Sequence, residues 1–160
     1  MYPILHSGDF VLISPYVENI KYGDLIVIHD PLDRSTILIR RLVGLGRDHI
    51  SMNGNGTLYI NDNMLEQKEL DHDSEYRYIE EILHKENSQR QWRISKRLDV
   101  QIEEEMKILL PSQQTFLLSD NRDDFIDSRI WGSINADEIK GRVILRIGAK
   151  DLWQNHISIY

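Results

Sequence analysis

Ser119-Asp120-Asn121-Arg122-Asp123-Asp124-Phe125-Ile126-Asp127-Ser128-Arg129-Ile130-Trp131-Gly132 gathers five carboxylates or amides and two arginines into one short stretch. Aspartate and asparagine side chains accept hydrogen bonds from nearby backbone N–H groups, and arginine donates in a planar fork to carboxylates. The chemistry on offer is a loop locked in one shape by its own hydrogen bonds. Such a lock can hold a site or merely brace a surface turn, and the residue types leave both readings open. Other constellations carry less. The histidines His6, His29, His49, His72, His84 and His156 are scattered without zinc-ligand spacing, so no metal site is expected. Gly44-Leu45-Gly46 lacks the further glycine and Lys-Ser/Thr of a phosphate loop and reads as a strand-end turn. No Gly-x-Ser-x-Gly elbow is present.

The elements that must position the loop are short apolar runs. Thr115-Phe116-Leu117-Leu118 feeds into it, and Gly141 to Ile147 follows as a last core strand. Upstream, Asp9 to Ser14 reads as a buried strand ended by Pro15, and Leu25 to Ile28 as a second. Thr36 to Val43 is a third, with Arg40 and Arg41 inside its apolar run. Ile50 to Met52 and Thr57 to Ile60 flank Asn53-Gly54-Asn55-Gly56, a hairpin signature. Residues 63–105 are polar, with acidic patches at Glu69 to Glu75 and Glu103 to Glu105 that read as a solvated face. They are expected to form a less regular β excursion. Met106 to Leu110 returns to strand, Asn135 to Ile139 could form one helical turn, and the tail from Gly148 shows no pattern. The fold class expected is mainly β: an antiparallel, barrel-like domain over 1–147 with a smaller β excursion, then a tail over 148–160.

Composition sets outer bounds. The length of 160 residues fits one domain with a real core. A formal net charge of −7 argues against a general nucleic-acid binder. The absence of cysteine excludes a disulfide and a thiolate zinc site. No apolar run approaches the length of a membrane span, and the chain opens without a signal peptide. No cofactor is expected.

Four segments, in order, resemble the boxes of the bacterial type I signal peptidases, membrane-bound serine endopeptidases that remove signal peptides from exported proteins. Met1-Tyr2-Pro3 resembles the end of Ser-Met-x-Pro. Gly8-Asp9 and Tyr22-Gly23-Asp24 resemble the following Gly-Asp pair. Arg40-Arg41-Leu42-Val43-Gly44-Leu45-Gly46-Arg47-Asp48 resembles Lys-Arg-x-Val-Gly-Leu-Pro-Gly-Asp, and Ser119 to Gly132 is similar to Gly-Asp-Asn-Arg-x-x-Ser-x-Asp-Ser-Arg-x-x-Gly. The resemblance implies an antiparallel β domain. It places Asp120, Asn121, Arg122, Asp127, Ser128 and Arg129 as site scaffold, with Asp127 and Arg129 as an ion pair. It places Met1, Tyr2, Pro3, Ile4, Ile37 and Ile39 along a peptide-binding cleft. It further implies signal peptides or other extended peptides as partners, contact with a membrane surface, and the outer face of the cytoplasmic membrane as the place of work.

The chemistry implied by the family is a Ser-Lys dyad, in which a neutral lysine takes the serine proton. Three positions depart from it. The nucleophile position falls immediately before Met1. Arg40 occupies the position of the base lysine, and Phe125 that of the serine that orients the lysine. The glycine opening the last box is Ser119. A guanidinium keeps its proton far above the working pH of a base, so lowering it to serve near pH 8 costs about 8 kcal/mol. Arg40 is expected instead to pair with a carboxylate such as Asp120 or Asp127, or to bind a substrate carbonyl or carboxylate. The reading is a signal peptidase homologue with a degenerate dyad that binds extended peptide by strand addition beside strand 36–43. The alternative is an active, anchored peptidase whose serine and anchor lie upstream of Met1. The Ser-Lys self-cleaving repressors, which share the general fold, fit the Asp-Asn-Arg…Asp-Ser-Arg box poorly.

Overall fold

The computed structural model describes residues 1–85, 88–100, 105–148 and 158–159. Three antiparallel sheets carry the chain, and none closes into a barrel. The largest is built from β1 (Phe10–Ser14), β2 (Leu25–His29), β3 (Ile37–Gly44), β11 (Gln114–Leu118), β12 (Ile134–Asn135) and β13 (Gly141–Ile147), in the order β1-β13-β2-β3-β11-β12. β14 (Ser158–Ile159) pairs with β13 beside it. The second sheet comprises β4 (His49–Met52), β5 (Leu58–Ile60), β6 (Asn63–Met64) and β10 (Met106–Leu109), in the order β10-β4-β5-β6. The third is β7 (Glu66–His72), β8 (Tyr76–Lys85) and β9 (Ser88–Arg97).

Most strands lie where the apolar runs placed them, and the 3-10 turn Ala136–Glu138 falls inside Asn135 to Ile139. One expectation is corrected. β1 is not buried: among the described residues it is an edge strand paired with β13 alone, and Phe10 and Leu12 are 63% and 55% exposed. A continuous apolar run signals a strand covered on both faces only when both faces have something to meet; here Val11 alone turns toward the apolar cluster of Leu25, Val27 and Val143. Within 63–105, β7 pairs with β8 through a register shift between Glu69 and Asp71. β8 and β9 pair without a break from Tyr76↔Arg97 to Lys85↔Ser88. Their polar residues face solvent on one side while Ile79, Leu83, Trp92 and Ile94 enter the main core with Val43, Ile50, Leu58, Phe116 and Leu118. The acidic stretch from Glu69 to Glu75 is exposed, as a solvated face should be; Glu103 and Glu104 lie outside the described residues, as does most of the tail.

The turn after β3 is held by close approach. A Cβ on Gly46 would lie 2.0 Å from the carbonyl oxygen of Ser112, so only glycine fits there. Among the described residues no helix is long and apolar enough to cross a membrane.

Candidate active site

β3 delivers two successive arginines, and the loop after β11 meets both. The Arg41 side chain is buried and forked onto Asp120, with Nε to Oδ1 at 2.9 Å and Nη2 to Oδ2 at 2.5 Å. Its Nη1 donates to the carbonyl of Gly23. A charge pair taken out of water holds only when geometry and extra hydrogen bonds compensate for desolvation, and this fork supplies both.

Asp127 organises the second half of the loop. It caps the one-turn helix α1 (Ser128–Trp131), with Oδ1 accepting from the backbone N–H of Arg129 at 3.0 Å. The same carboxylate takes the Arg129 guanidinium at 2.9 and 2.6 Å and the Ser119 N–H at 2.9 Å. Arg129 reaches on to the carbonyls of Arg122 and Asp124. Ser128 Oγ accepts the N–H of Leu117 at 3.0 Å, which ties α1 to β11. Asn121 forms a parallel bridge to Ser95 of β9, and its Oδ1 accepts the N–H of Asp123. The expected Asp127–Arg129 ion pair is therefore present, and the loop is braced by its own bonds.

Arg122 was anticipated as scaffold, but its partner was not. It is 1% exposed and its Nη2 pairs with Glu81 of β8. Glu81 is also fully buried and accepts from Trp92 Nε1 at 2.9 Å and Gln67 Nε2 at 3.1 Å. One sequence signal could have found it. Ile79, Glu81 and Leu83 alternate along one strand, and a carboxylate in an inward register position needs a buried donor.

Arg40 meets a carboxylate, as expected, but not one of the two named. Asp120 belongs to Arg41 and Asp127 to Arg129, so neither is its partner. Arg40 Nε donates to the carbonyl of Ile126 at 2.8 Å, Nη1 to that of Ile39 at 2.8 Å, and Nη2 reaches Asp124 at 3.3 Å. The correction has a geometric cause. Adjacent residues of a strand point to opposite faces, so Arg40 and Arg41 cannot share the carboxylates of one side. Every one of these contacts uses the guanidinium as a donor, and it has no acceptor to offer a serine hydroxyl. Phe125 turns its ring under Arg129, whose guanidinium carbon lies 4.3 Å from the ring centroid. Ser119 Oγ donates to Asp124 at 3.3 Å.

The first residues close the site. The backbone nitrogen of Met1 is largely buried, within electrostatic range of Asp120, Arg40, Asp124 and Arg41. Met1 and Ile4 pack with Ile39 against the cluster of Leu25, Val27 and Val143. Tyr2 stacks against Tyr76 and Tyr78, its hydroxyl bonds that of Tyr78, and its carbonyl accepts from Ser95 Oγ. Pro3 follows in the same turn, and Ile37 is 65% exposed on β3. Of the expected cleft residues, Met1, Ile4 and Ile39 thus come together, while Tyr2 leans toward the third sheet. Among the described residues no cluster of histidine and carboxylate could hold a metal ion.

The family description "Signal peptidase, peptidase S26" matches residues 1–148. The chain belongs to this family. Signal peptidase I U of Bacillus subtilis (strain 168) is 31% identical over 145 residues, which cover 88% of this chain and 67% of that protein. Signal peptidase I of Pseudomonas aeruginosa is 25% identical over 147 residues, covering 82% of this chain and 52% of that protein. This signal peptidase family member therefore spans between about half and two thirds of these relatives' lengths. A crystal structure of a signal peptidase I from Enterococcus faecalis V583 aligns with a TM-score of 0.48 at 19% identity, over 79% of this chain and 98% of that one.

Proposed function

We propose that this family member handles the signal peptides of exported proteins by holding them as an added strand along the first half of β3, with Arg40 as a structural cation and not a base. The observation that carries the reading is a strand edge that, among the described residues, no strand covers, with the Ile39 carbonyl accepting there from Arg40 Nη1. β11 pairs with β3 only from Arg41 to Gly44, whereas β2 pairs along Ile37 to Arg41. Asp30 N–H donates to the Thr36 carbonyl and Leu42 N–H to the Asp24 carbonyl. Alternation then turns the backbone of 36, 38, 40 and 42 toward β2, and the N–H and C=O of Ile37 and Ile39 the other way. An extended peptide gains ladder bonds at such an edge. The exposed apolar face of Phe10 and Leu12 on β1 supports a membrane surface, and with it the outer face of the cytoplasmic membrane, as the working place.

The test is amide hydrogen exchange of the chain with and without a signal peptide. Slowed exchange at Ile37 and Ile39 is the expected result. Unchanged exchange at both, under conditions where the peptide is bound, would overturn strand addition.

A second reading, an active anchored peptidase, is favoured by one observation. The Met1 nitrogen is within electrostatic range of Arg40, Asp120 and Asp124, which places the chain start on the side of the site that holds the arginine. That reading requires a base other than Arg40. It predicts preprotein cleavage by a chain carrying that serine with Arg40 and Phe125 unchanged.

A further inference from the structure

At the C-terminal end of β9 lies a concave pocket of about 430 Å³, lined among others by Arg77, Ile79, Lys96, Arg97, Leu98 and Asp123. That volume is in the range of small-molecule sites. The Lys96 ammonium enters it between β9 and the β4–β5 turn. Its hydrogen-bond acceptors are two backbone carbonyls, of Gly56 at 3.1 Å and Asn55 at 3.4 Å, and among the described residues no carboxylate lies within ion-pair reach of it.

Each guanidinium around it already has a carboxylate of its own: Arg77 takes Glu69, Arg97 takes Asp99 and Arg122 takes Glu81. Arg77 and Arg97 line the same wall, and Arg122 acts on Lys96 from below. Arg122 is buried, and its Nε and Nη1 have no hydrogen-bond partner among the described residues. The two carboxylates in range are already engaged. Glu81 takes donors from Arg122, Trp92 and Gln67, and Asp123 accepts the Arg97 N–H at 2.6 Å. A half-enclosed ammonium beside further guanidinium groups, with the nearby carboxylates spoken for, lacks an anion.

We propose that this pocket binds a small molecule bearing one oxyanion group, a carboxylate or a phosphate, seated on Lys96 with its apolar part against Ile79 and Leu98. Arg77 adds a second donor from the rim, where its present partner Glu69 is half-exposed and 3.4 Å away. Burial and the neighbouring cations lower Lys96 to about 8. A bound anion favours the ammonium, so binding should weaken as pH rises past that value.

The experiment is a titration of the full chain with sodium sulfate and, separately, sodium acetate, followed by the NMR signals of the Lys96 side chain. Sulfate keeps its charge between pH 7 and 9.5, so any pH dependence belongs to the protein. Either anion should raise the midpoint of Lys96 above about 8, and affinity should fall roughly thirtyfold from pH 7 to pH 9.5. Stronger binding of sulfate would point to a phosphate ligand, and stronger binding of acetate to a carboxylate. In Lys96→Met, the backbone amide shifts of Arg77, Ile79 and Leu98 that accompany binding in the unchanged chain should be lost. Arg77→Gln, at an exposed residue that should leave the fold intact, should weaken binding about tenfold. If tens of millimolar of either anion leave the Lys96 midpoint unmoved, or if Lys96→Met binds as well, the site does not exist.

Discussion

Arg41 and Arg40 are neighbours on one strand, and the two faces they serve are built differently. Arg41 forks onto a fully buried Asp120, just as Arg129 forks onto a fully buried Asp127, and Arg122 pairs through Nη2 with a fully buried Glu81. Arg40 takes backbone carbonyls and a 3.3 Å contact to Asp124, whose side chain is 33% exposed. The first kind of site has each charge matched by a dedicated partner. In the second, a cation is accommodated with whatever acceptors lie nearby. The loop from Ser119 to Gly132 is thus held by matched pairs, while the corner around Arg40 and Phe125 is held by looser contacts.

Breaking a matched pair should cost most. Asp120→Ala, Asp127→Ala or Glu81→Ala each leaves a buried guanidinium unpaired, and urea unfolding should show a loss of about 3–5 kcal/mol. The double substitution Glu81→Leu with Arg122→Met should recover most of that loss, because a well-packed apolar pair avoids the desolvation cost. A double mutant as unstable as Glu81→Ala would mean that packing, not charge, is what the position requires.

Lys96 gives an intermediate effect with a defined sign. Its amine is lowered from 10.5 to about 8, chiefly by burial. Below that value both folded and unfolded chains carry the proton. Between about 8 and 10.5 the unfolded chain binds more protons, so stability rises with pH across this window. Relative to Lys96→Met, the unfolding free energy should climb by at most about 3 kcal/mol, read from urea midpoints.

At the Arg40 corner the effects should be small. Asp124→Ala should cost no more than about 1 kcal/mol, since its carboxylate is partly solvated and shared with Ser119. Phe125→Ser should cost about 0.5–1 kcal/mol, the worth of an exposed cation–π contact with Arg129. A loss at Asp124 as large as that at Asp120 would erase the distinction between the two faces.

How legible this was differs by residue. The strands around the site follow from apolar runs, because a strand covered on both faces must be apolar throughout, as Leu25 to Ile28 and Phe116 to Leu118 are. The regular pairing of β8 with β9 was hidden, since a sheet with one face in water carries polar residues at every second position. The exposure of β1 was hidden for the opposite reason: its apolar residues name no neighbour. Within the loop, Asp127 and Arg129 are two residues apart and their pairing is local. The partners of Arg41 and Arg122 are 79 and 41 residues away, and strand alternation alone does not say which carboxylate faces which arginine.

The measurement that bears most directly on Arg40 as a structural cation is preprotein cleavage by chains carrying a serine immediately before Met1. The chain with Arg40 and Phe125 unchanged should release no mature product, while Arg40→Lys with Phe125→Ser should cleave. Cleavage by the chain that keeps Arg40 and Phe125 would contradict the account, and would require a base elsewhere in the site.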